Sequence, residues 1–405
     1  MAIALLGVAT LGNVTKRDWS RVEKENVSRI ETCETLDLKD VAVANAEAET
    51  LGIRAKSAYL MDFATKTVMF SHNENARLPI ASMCKIMTLL LSFEAIDQGV
   101  LRMDEEISVS ENAASMGGSQ VFLEANGKYV VKELIKSIVV CSANDSCVAM
   151  AERIAGSERA FIDKMNEKAK EIGAENTLFA NCTGLPKEPQ YSCAKDVAIM
   201  LRHLLDHQEY YEFGKVWLDK FMHPQGRFTE ITNTNKLVRF YDGCDGGKTG
   251  FTNEAGFCLA ATAKRKDMRV ISVVIGEENS ANRFEDVRTM FDYAFANYTV
   301  TPIIEGQTPL EETVTVKGGK QKTVKIYPER MVSAFTKRGE KGNYSIETRL
   351  KTLKAPLEKD EIAGELLLFR DGIEIDRVPL LTAESVKKAN FLDYFKEIGR
   401  QWNKR

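Results

Sequence analysis

The sequence predicts an α/β domain on a mainly antiparallel sheet with a helical insert, spanning about residues 50–300, followed by a small all-β domain at about 303–381. Two observations carry this. Strand patterns stand at both ends of the first segment and enclose long helical periods, and after Pro302 short alternating runs are separated by Gly-Gly and Asp-Gly pairs. At 405 residues the chain exceeds one ordinary domain, and 44% apolar with 28% charged residues supplies ample core for a soluble globular protein.

Residues 13–50 are polar and acidic, a leader with little to bury. Order is expected from Ala58-Tyr59-Leu60-Met61-Asp62, a short β pattern, followed by Lys66-Thr67-Val68-Met69-Phe70. A long apolar helix is expected from near Ser82 to Gly99, a suitable stop. Residues 132–207 carry further helical periods, with Leu134, Ile135, Ile138 and Val139 on one face. Strands return at Phe257–Ala263 and Met268–Gly276, and a helix at Arg283–Tyr298 closes the region. Beyond Pro302, Thr313–Val316 and Lys322–Tyr327 flank Gly318-Gly319, while Leu366–Phe369 and Ile373–Val378 flank Asp371-Gly372, the favoured two-residue hairpin turn. A final helical stretch is expected over 383–405.

A net charge of −3 and the absence of a basic block argue against nucleic acid as a partner. The four histidines leave little material for a Ser-His-Asp triad or a catalytic zinc site. His203 and His207 are spaced i,i+4, but Leu204 stands where an H-E-x-x-H site needs Glu, so an exposed helix face is the expectation. Eight cysteines lie between Cys33 and Cys258 without a C-x-x-C pair, several inside apolar runs, and read as buried thiols without a disulfide framework. The apolar start Met1–Gly12 resembles the core of a secretory signal but lacks a preceding Lys or Arg, and Ala42-Val43-Ala44 offers an A-x-A pattern far downstream; export is expected, with the cleavage point unreadable.

Three short elements share one chemistry. In Ser82-Met83-Cys84-Lys85 one helical turn sets Lys85 on the face of Ser82, and burial among apolar neighbours lowers a lysine pKa enough for it to act as a base. A second S-x-x-K, Ser385–Lys388, reads as ordinary helix surface. Ser142-Ala143-Asn144, between two helical segments, offers a hydroxyl to relay a proton and an amide to grip a peptide backbone; S-x-N recurs at Ser71, Ser110 and Ser280, where a turn or cap is the plain reading. Lys248-Thr249-Gly250 occurs once, just before a strand, and suits a substrate carboxylate and a close backbone approach.

In this order the three elements form the set of penicillin-binding serine enzymes. The sequence resembles the low-molecular-mass D-alanyl-D-alanine carboxypeptidases over about 50–300, through Ala58–Asp62, Ala81–Thr88, Ser142–Asp145, Thr183-Gly184-Leu185-Pro186, Asn233–Leu237 and Asp245–Gly256, and more loosely beyond. The resemblance implies a penicillin-binding/β-lactamase-like transpeptidase fold and removal of the terminal D-alanine from peptidoglycan pentapeptide through an acyl-enzyme. It implies Ser82 as nucleophile, Lys85 as base, Ser142 as proton relay and Asn144 as peptide grip. Lys248 and Thr249 would engage the terminal carboxylate, beside Gly250, Phe251 and Thr252, with the backbone N–H groups of Ser82 and Phe251 as oxyanion hole. Some relatives carry a basic residue in the stretch where Thr234 lies, which this sequence lacks there. Peptidoglycan stem peptides and β-lactams are the implied partners; no metal or organic cofactor is implied.

A β-lactamase shares the fold and the three elements, but Glu175-Asn176 and Glu188-Pro189-Gln190 do not match the water-positioning glutamate motif of one class, and the added β domain favours the cell-wall enzyme. A non-catalytic binder on this fold conflicts with an intact Ser82, Lys85, Ser142 and Lys248. At the C-terminus, Phe391, Leu392, Phe395, Ile398 and Trp402 fall on one helical face beside Lys387, Lys388, Lys396, Arg400, Lys404 and Arg405. That pattern, with the resemblance, implies an amphipathic helix on the outer face of the cytoplasmic membrane; packing on the β domain is the alternative.

Overall fold

The computed structural model describes residues 51–405 apart from Lys341, Leu392, Tyr394 and 396–405; the expected leader, signal-like segment and A-x-A pattern lie outside the described residues. Five strands form the central sheet: β1 (Ser57–Asp62), β2 (Val68–His72), β3 (Cys244–Thr252), β4 (Gly256–Arg265) and β5 (Met268–Glu277). Their order is β2-β1-β5-β4-β3 and every pairing is antiparallel. Both faces are covered, so the middle strands read as unbroken apolar runs rather than alternating ones. Along β5, Ile271, Val273 and Ile275 enter the core on one side, and Val270 and Val274 enter the core on the other.

The helical insert covers the first side with α1 (Lys85–Asp97), α2 (Val131–Cys141), α3 (Asn144–Ala155), α4 (Glu158–Glu171) and α5 (Ala194–Leu205). Helix α1 is apolar almost all round and buried from Lys85 to Phe93, the pattern of a central helix. The expected face of α2 is the buried one. Helix α6 (Ser280–Asn297), capped by the Asn279 side chain, covers the second side.

The C-terminal part is all-β. Tyr298–Ile304 pairs with Val332–Lys337, and six further strands form a second sheet. Its two hairpins fall where the Gly-Gly and Asp-Gly pairs placed them; Asp371 and Gly372 have φ of 50° and 83°, the left-handed pair that a tight hairpin needs.

Several expectations change. The apolar helix is preceded by a 3-10 turn, Ala81–Cys84, so Ser82 sits before α1 rather than in it. Lys248-Thr249-Gly250 lies inside strand β3, not ahead of a strand; the glycines at 246, 247 and 250 masked its β character. Two small hairpins, Glu106–Ser108 with Lys128–Val130 and Leu218–Met222 with Phe228–Thr232, were not anticipated. His207 follows α5 instead of lying on its exposed face: its ring stacks on Phe93 and its Nδ1 is 2.8 Å from Asp97.

The C-terminal stretch also departs from expectation. Ser385–Lys388 is extended, not helical: Val386 bridges Leu357, Lys388 bridges Gly319, and Val386 is buried in the β-domain core. Helix is described only at Phe391, Asp393 and Phe395; Leu392, Ile398, Trp402 and the basic residues from Lys396 onward lie outside the described residues. Among the described residues no helix is long and apolar enough to cross a membrane.

Candidate active site

The turn that carries Ser82 is forced by its neighbours. Ala81 takes φ of 47°, costly for a residue with a Cβ. Two glycines allow the close fit around it. A Cβ on Gly184 would lie 2.0 Å from the Ala81 carbonyl oxygen, and one on Gly250 would lie 2.6 Å from that of Ile80. The Gly184 loop is shaped by Asn181, whose Oδ1 accepts from the N–H groups of Thr183 at 3.1 Å and Gly184 at 2.7 Å.

Lys85 follows on the same face. Its Nζ lies 3.0 Å from Ser82 Oγ and donates to the Thr183 carbonyl at 2.5 Å. The side chain is fully buried. Burial lowers its pKa, opposed only by nearby thiols. Those thiols stay neutral, since burial pushes Cys147 and Cys141 up to about 12. No carboxylate forms an ion pair with Lys85 among the described residues. A desolvated amine without a counter-charge favours the neutral form, which can accept the Ser82 proton.

Ser142 ends α2 in the left-handed region, φ 66° and ψ 34°, and its buried Oγ has no hydrogen-bond partner among the described residues. A non-glycine residue held so, with an unsatisfied hydroxyl, stores strain of the kind concentrated at functional sites. Asn144 begins α3; its Nδ2 donates to the Gly117 carbonyl at 2.7 Å, its N–H donates to that of Ser119 at 2.7 Å, and its Oδ1 is likewise buried and unpartnered. The neighbouring Asp145 carboxylate accepts from the N–H groups of Val121 and Leu123, both at 3.1 Å, and so pins the 117–123 loop over this corner. The other S-x-N copies are structural where their contacts are seen: Ser110, for example, caps the short helix Glu111–Ala114.

Strand β3 is the sheet edge beside the Ser82 turn. Lys248 is 2% exposed, and its pKa is held well below the usual lysine range by burial and then by the nearby Lys85 amine, which places the two lysines close together. Its Nζ donates to the Thr249 carbonyl at 3.0 Å. Thr249 is buried, whereas Phe251 is half exposed and stacks on Phe257. Thr252 caps the β3–β4 turn, its Oγ1 accepting from the Ala255 N–H at 3.1 Å.

Thus Ser82, Lys85, Lys248 and Gly250 converge, Ser142 and Asn144 stand at the α2–α3 junction, and Phe251 and Thr252 lie towards the end of the strand. Sequence reasoning missed three supports. The Thr183 carbonyl orients Lys85, the Gly117 and Ser119 carbonyls grip Asn144, and Arg283 on α6 donates to the Gly250 carbonyl at 3.1 Å. Arg283 is half-buried between Phe257 and Phe284, and that burial lowers its pKa to about 10. Only Thr183-Gly184 left a signal in the sequence; main-chain carbonyl acceptors leave none.

A serine beside a buried lysine, under a sheet edge lined by a second buried lysine, has the parts for serine acyl transfer. Comparison with known proteins gives the same class. Residues 42–279 match the family described as D-alanyl-D-alanine carboxypeptidase, and residues 298–388 match the C-terminal domain of penicillin-binding protein 5. The chain is 42% identical over 356 residues to the D-alanyl-D-alanine carboxypeptidase DacF of Bacillus subtilis, covering 87% of this chain and 91% of that one. Among solved structures it is similar to penicillin-binding protein 5 from Haemophilus influenzae, with TM-score 0.65, 28% identity and coverage of 83% and 98%. It is also similar to penicillin-binding protein D2 from Listeria monocytogenes in its ampicillin-bound form, with TM-score 0.55, 28% identity and coverage of 60% and 99%. The chain therefore belongs to the D-alanyl-D-alanine carboxypeptidase family of low-molecular-mass penicillin-binding proteins, and it is a serine peptidase.

Proposed function

We propose that the chain removes the terminal D-alanine of peptidoglycan pentapeptide with Ser82 as the acyl carrier. The observation that carries this assignment is the fully buried Lys85 amine 3.0 Å from Ser82 Oγ. Neutral Lys85 takes the Ser82 proton as Oγ attacks the penultimate carbonyl, while its own N–H stays on the Thr183 carbonyl. Ser142 Oγ relays that proton from Lys85 to the departing amine of D-alanine, and Asn144 holds the peptide backbone. The acyl-Ser82 ester is then hydrolysed by water. The stem peptide adds to the free edge of β3 as an extra strand. Thr249 contacts the terminal carboxylate, and Lys248, being buried, acts on it through its field. The N–H groups of Ser82 and Phe251 receive the oxyanion. Because β-lactams present a carbonyl and a carboxylate to the same groups, they acylate Ser82 as well.

The enzyme works outside the cytoplasm, at the outer face of the cytoplasmic membrane. This part of the reading is supported by the signal-like start and by Phe391 and Phe395, which are 79% and 69% exposed. Such apolar surface suits a helix lying in a lipid interface.

Labelling with a fluorescent penicillin, followed by peptide mapping and the lifetime of the adduct, tests the assignment. A stable adduct on Ser82 with D-alanine release supports it; rapid loss of the adduct without peptidase activity points to a β-lactamase, and a label elsewhere sinks the nucleophile.

A further inference from the structure

A second site lies where the sheet meets the C-terminal β part. A cavity of about 430 Å³ is lined by Phe63, Arg202, Tyr211, Lys264, Arg269 and Arg330, with Asp206 and Asp267 also on its wall. It is remote from Ser82. Gly250 sits beside the Ser82 turn and pairs with Cys258 near the start of β4, whereas Lys264 stands at the other end of that strand, six residues and roughly 20 Å on.

The charges do not cancel evenly. Arg269 is held by both oxygens of Asp245, at 2.7 and 2.8 Å, and Arg330 by both oxygens of Asp376, at 2.9 and 2.5 Å. Arg202 has no such partner. Its Nε donates to the Phe63 carbonyl at 3.3 Å, and its Nη1 reaches Asp206 only at 3.8 Å, beyond hydrogen-bond distance. Lys264 and Lys66 have no carboxylate partner among the described residues. Five cations (Lys66, Arg202, Lys264, Arg269, Arg330) face four carboxylates (Asp206, Asp245, Asp267, Asp376), an excess of one positive charge. The Lys66 pKa falls through burial and then through repulsion from Arg202 and Arg330, which Asp376 and Asp206 oppose. The guanidiniums of Arg202 and Arg269 are held against the rings of Phe63 and Tyr211 at 5.7 and 4.5 Å, which fixes their direction.

We propose that this cavity binds a phosphate-bearing ligand, with Arg202 and Lys264 as its principal donors and the β part closing one side through Arg330. Donors from α5, β4 and the β part converge from different directions. That suits a multi-oxygen anion better than a carboxylate's two oxygens. The size falls within the range of small-molecule sites.

Titrating the full chain with inorganic phosphate, against sodium chloride at matched ionic strength, tests the proposal by calorimetry and by thermal unfolding. Saturable binding is expected, weakened at least about five-fold in both Arg202→Gln and Lys264→Gln, with D-alanine release unchanged. Lys264 is exposed, so its variant keeps the test valid if Arg202→Gln folds poorly. Sedimentation with phosphatidylglycerol vesicles separates the sources. Binding lost in the same variants identifies a lipid headgroup, and binding of phosphate alone identifies a soluble anion. Equal phosphate responses in wild type and Lys264→Gln, or none beyond chloride, overturn the proposal.

Discussion

Replacing Gly184 by alanine changes no chemical group of the site and tests how closely the Ser82 turn is held. A Cβ there would stand 2.0 Å from the Ala81 carbonyl oxygen, 2.4 Å from the carbonyl carbon and 2.9 Å from the Ser82 nitrogen. Real Cβ contacts begin near 3.0 Å, so the turn or the Thr183 loop must retreat by about 1 Å. Gly184 also has φ of 81°, which adds about 1–2 kcal/mol of backbone strain for alanine. Both partners are backbone, so no side chain can swing aside. Retreat of the loop carries the Thr183 carbonyl off Lys85; retreat of the turn carries Ser82 off its base. A displacement of about 1 Å at a reacting group costs roughly 10²-fold in rate. The second-order rate of penicillin acylation, measured beside thermal unfolding, should fall at least about 10²-fold in a protein that remains folded and a few degrees less stable. Acylation within three-fold of wild type would refute the claim that Gly184 sets the Ser82–Lys85 geometry.

Other perturbations separate chemistry from stability. Ser142→Gly relieves the left-handed backbone strain at φ 66°, so its melting temperature should equal or exceed that of wild type while acylation drops at least about 10²-fold; a normal rate would remove Ser142 from the proton path. Glu277 is buried beside Asp286, and burial followed by that neighbour raises its pKa to about 8, while Asp286 stays charged on Arg54. A carboxyl raised above its unfolded value loses stability as pH climbs from about 4.5 to 8, by up to about 1.4 kcal/mol per unit. The stability gain of Glu277→Gln over wild type should therefore grow across that window; a gain independent of pH would show that no proton is held there. Ending the chain at residue 390 should leave the melting temperature unchanged. Ending it at 382 removes Val386, 1% exposed, and should cost about 2–3 kcal/mol by denaturant titration; equal stability of the two would contradict the packing of that segment.

The parts of this molecule that depend on periodicity and turn chemistry are legible in its sequence. The two-sided burial of β5 is written in Val270-Ile271-Ser272-Val273-Val274-Ile275, and the last hairpin in Asp371-Gly372. Lys85 was readable because a lysine inside an apolar helix needs a reason. What escaped had a physical cause. Glycines in β3 suppress the residue-type signal of a strand whose backbone must approach Ser82 closely. The carbonyls of Thr183, Gly117 and Ser119 act through the main chain, which carries no side-chain mark. Lys248 read as a carboxylate contact just ahead of a strand, yet it is buried within β3, because that strand lies against the Ser82 turn. The extended run at Ser385–Lys388 looked helical from its composition, and β-bridges to Leu357 and Gly319 overrode that preference.

The central claim is that Ser82 carries the acyl group while D-alanine leaves. Purified pentapeptide ending in D-alanyl-D-alanine should be incubated with the wild-type chain and with Ser82→Ala, and both products and protein followed by mass spectrometry. Wild type should release one D-alanine per peptide and leave the tetrapeptide, with any trapped acyl adduct mapping to the peptide that contains Ser82. The Ser82→Ala protein, folded by its melting curve, should release none. D-alanine release by Ser82→Ala, or an adduct on Ser142 instead, would contradict the account.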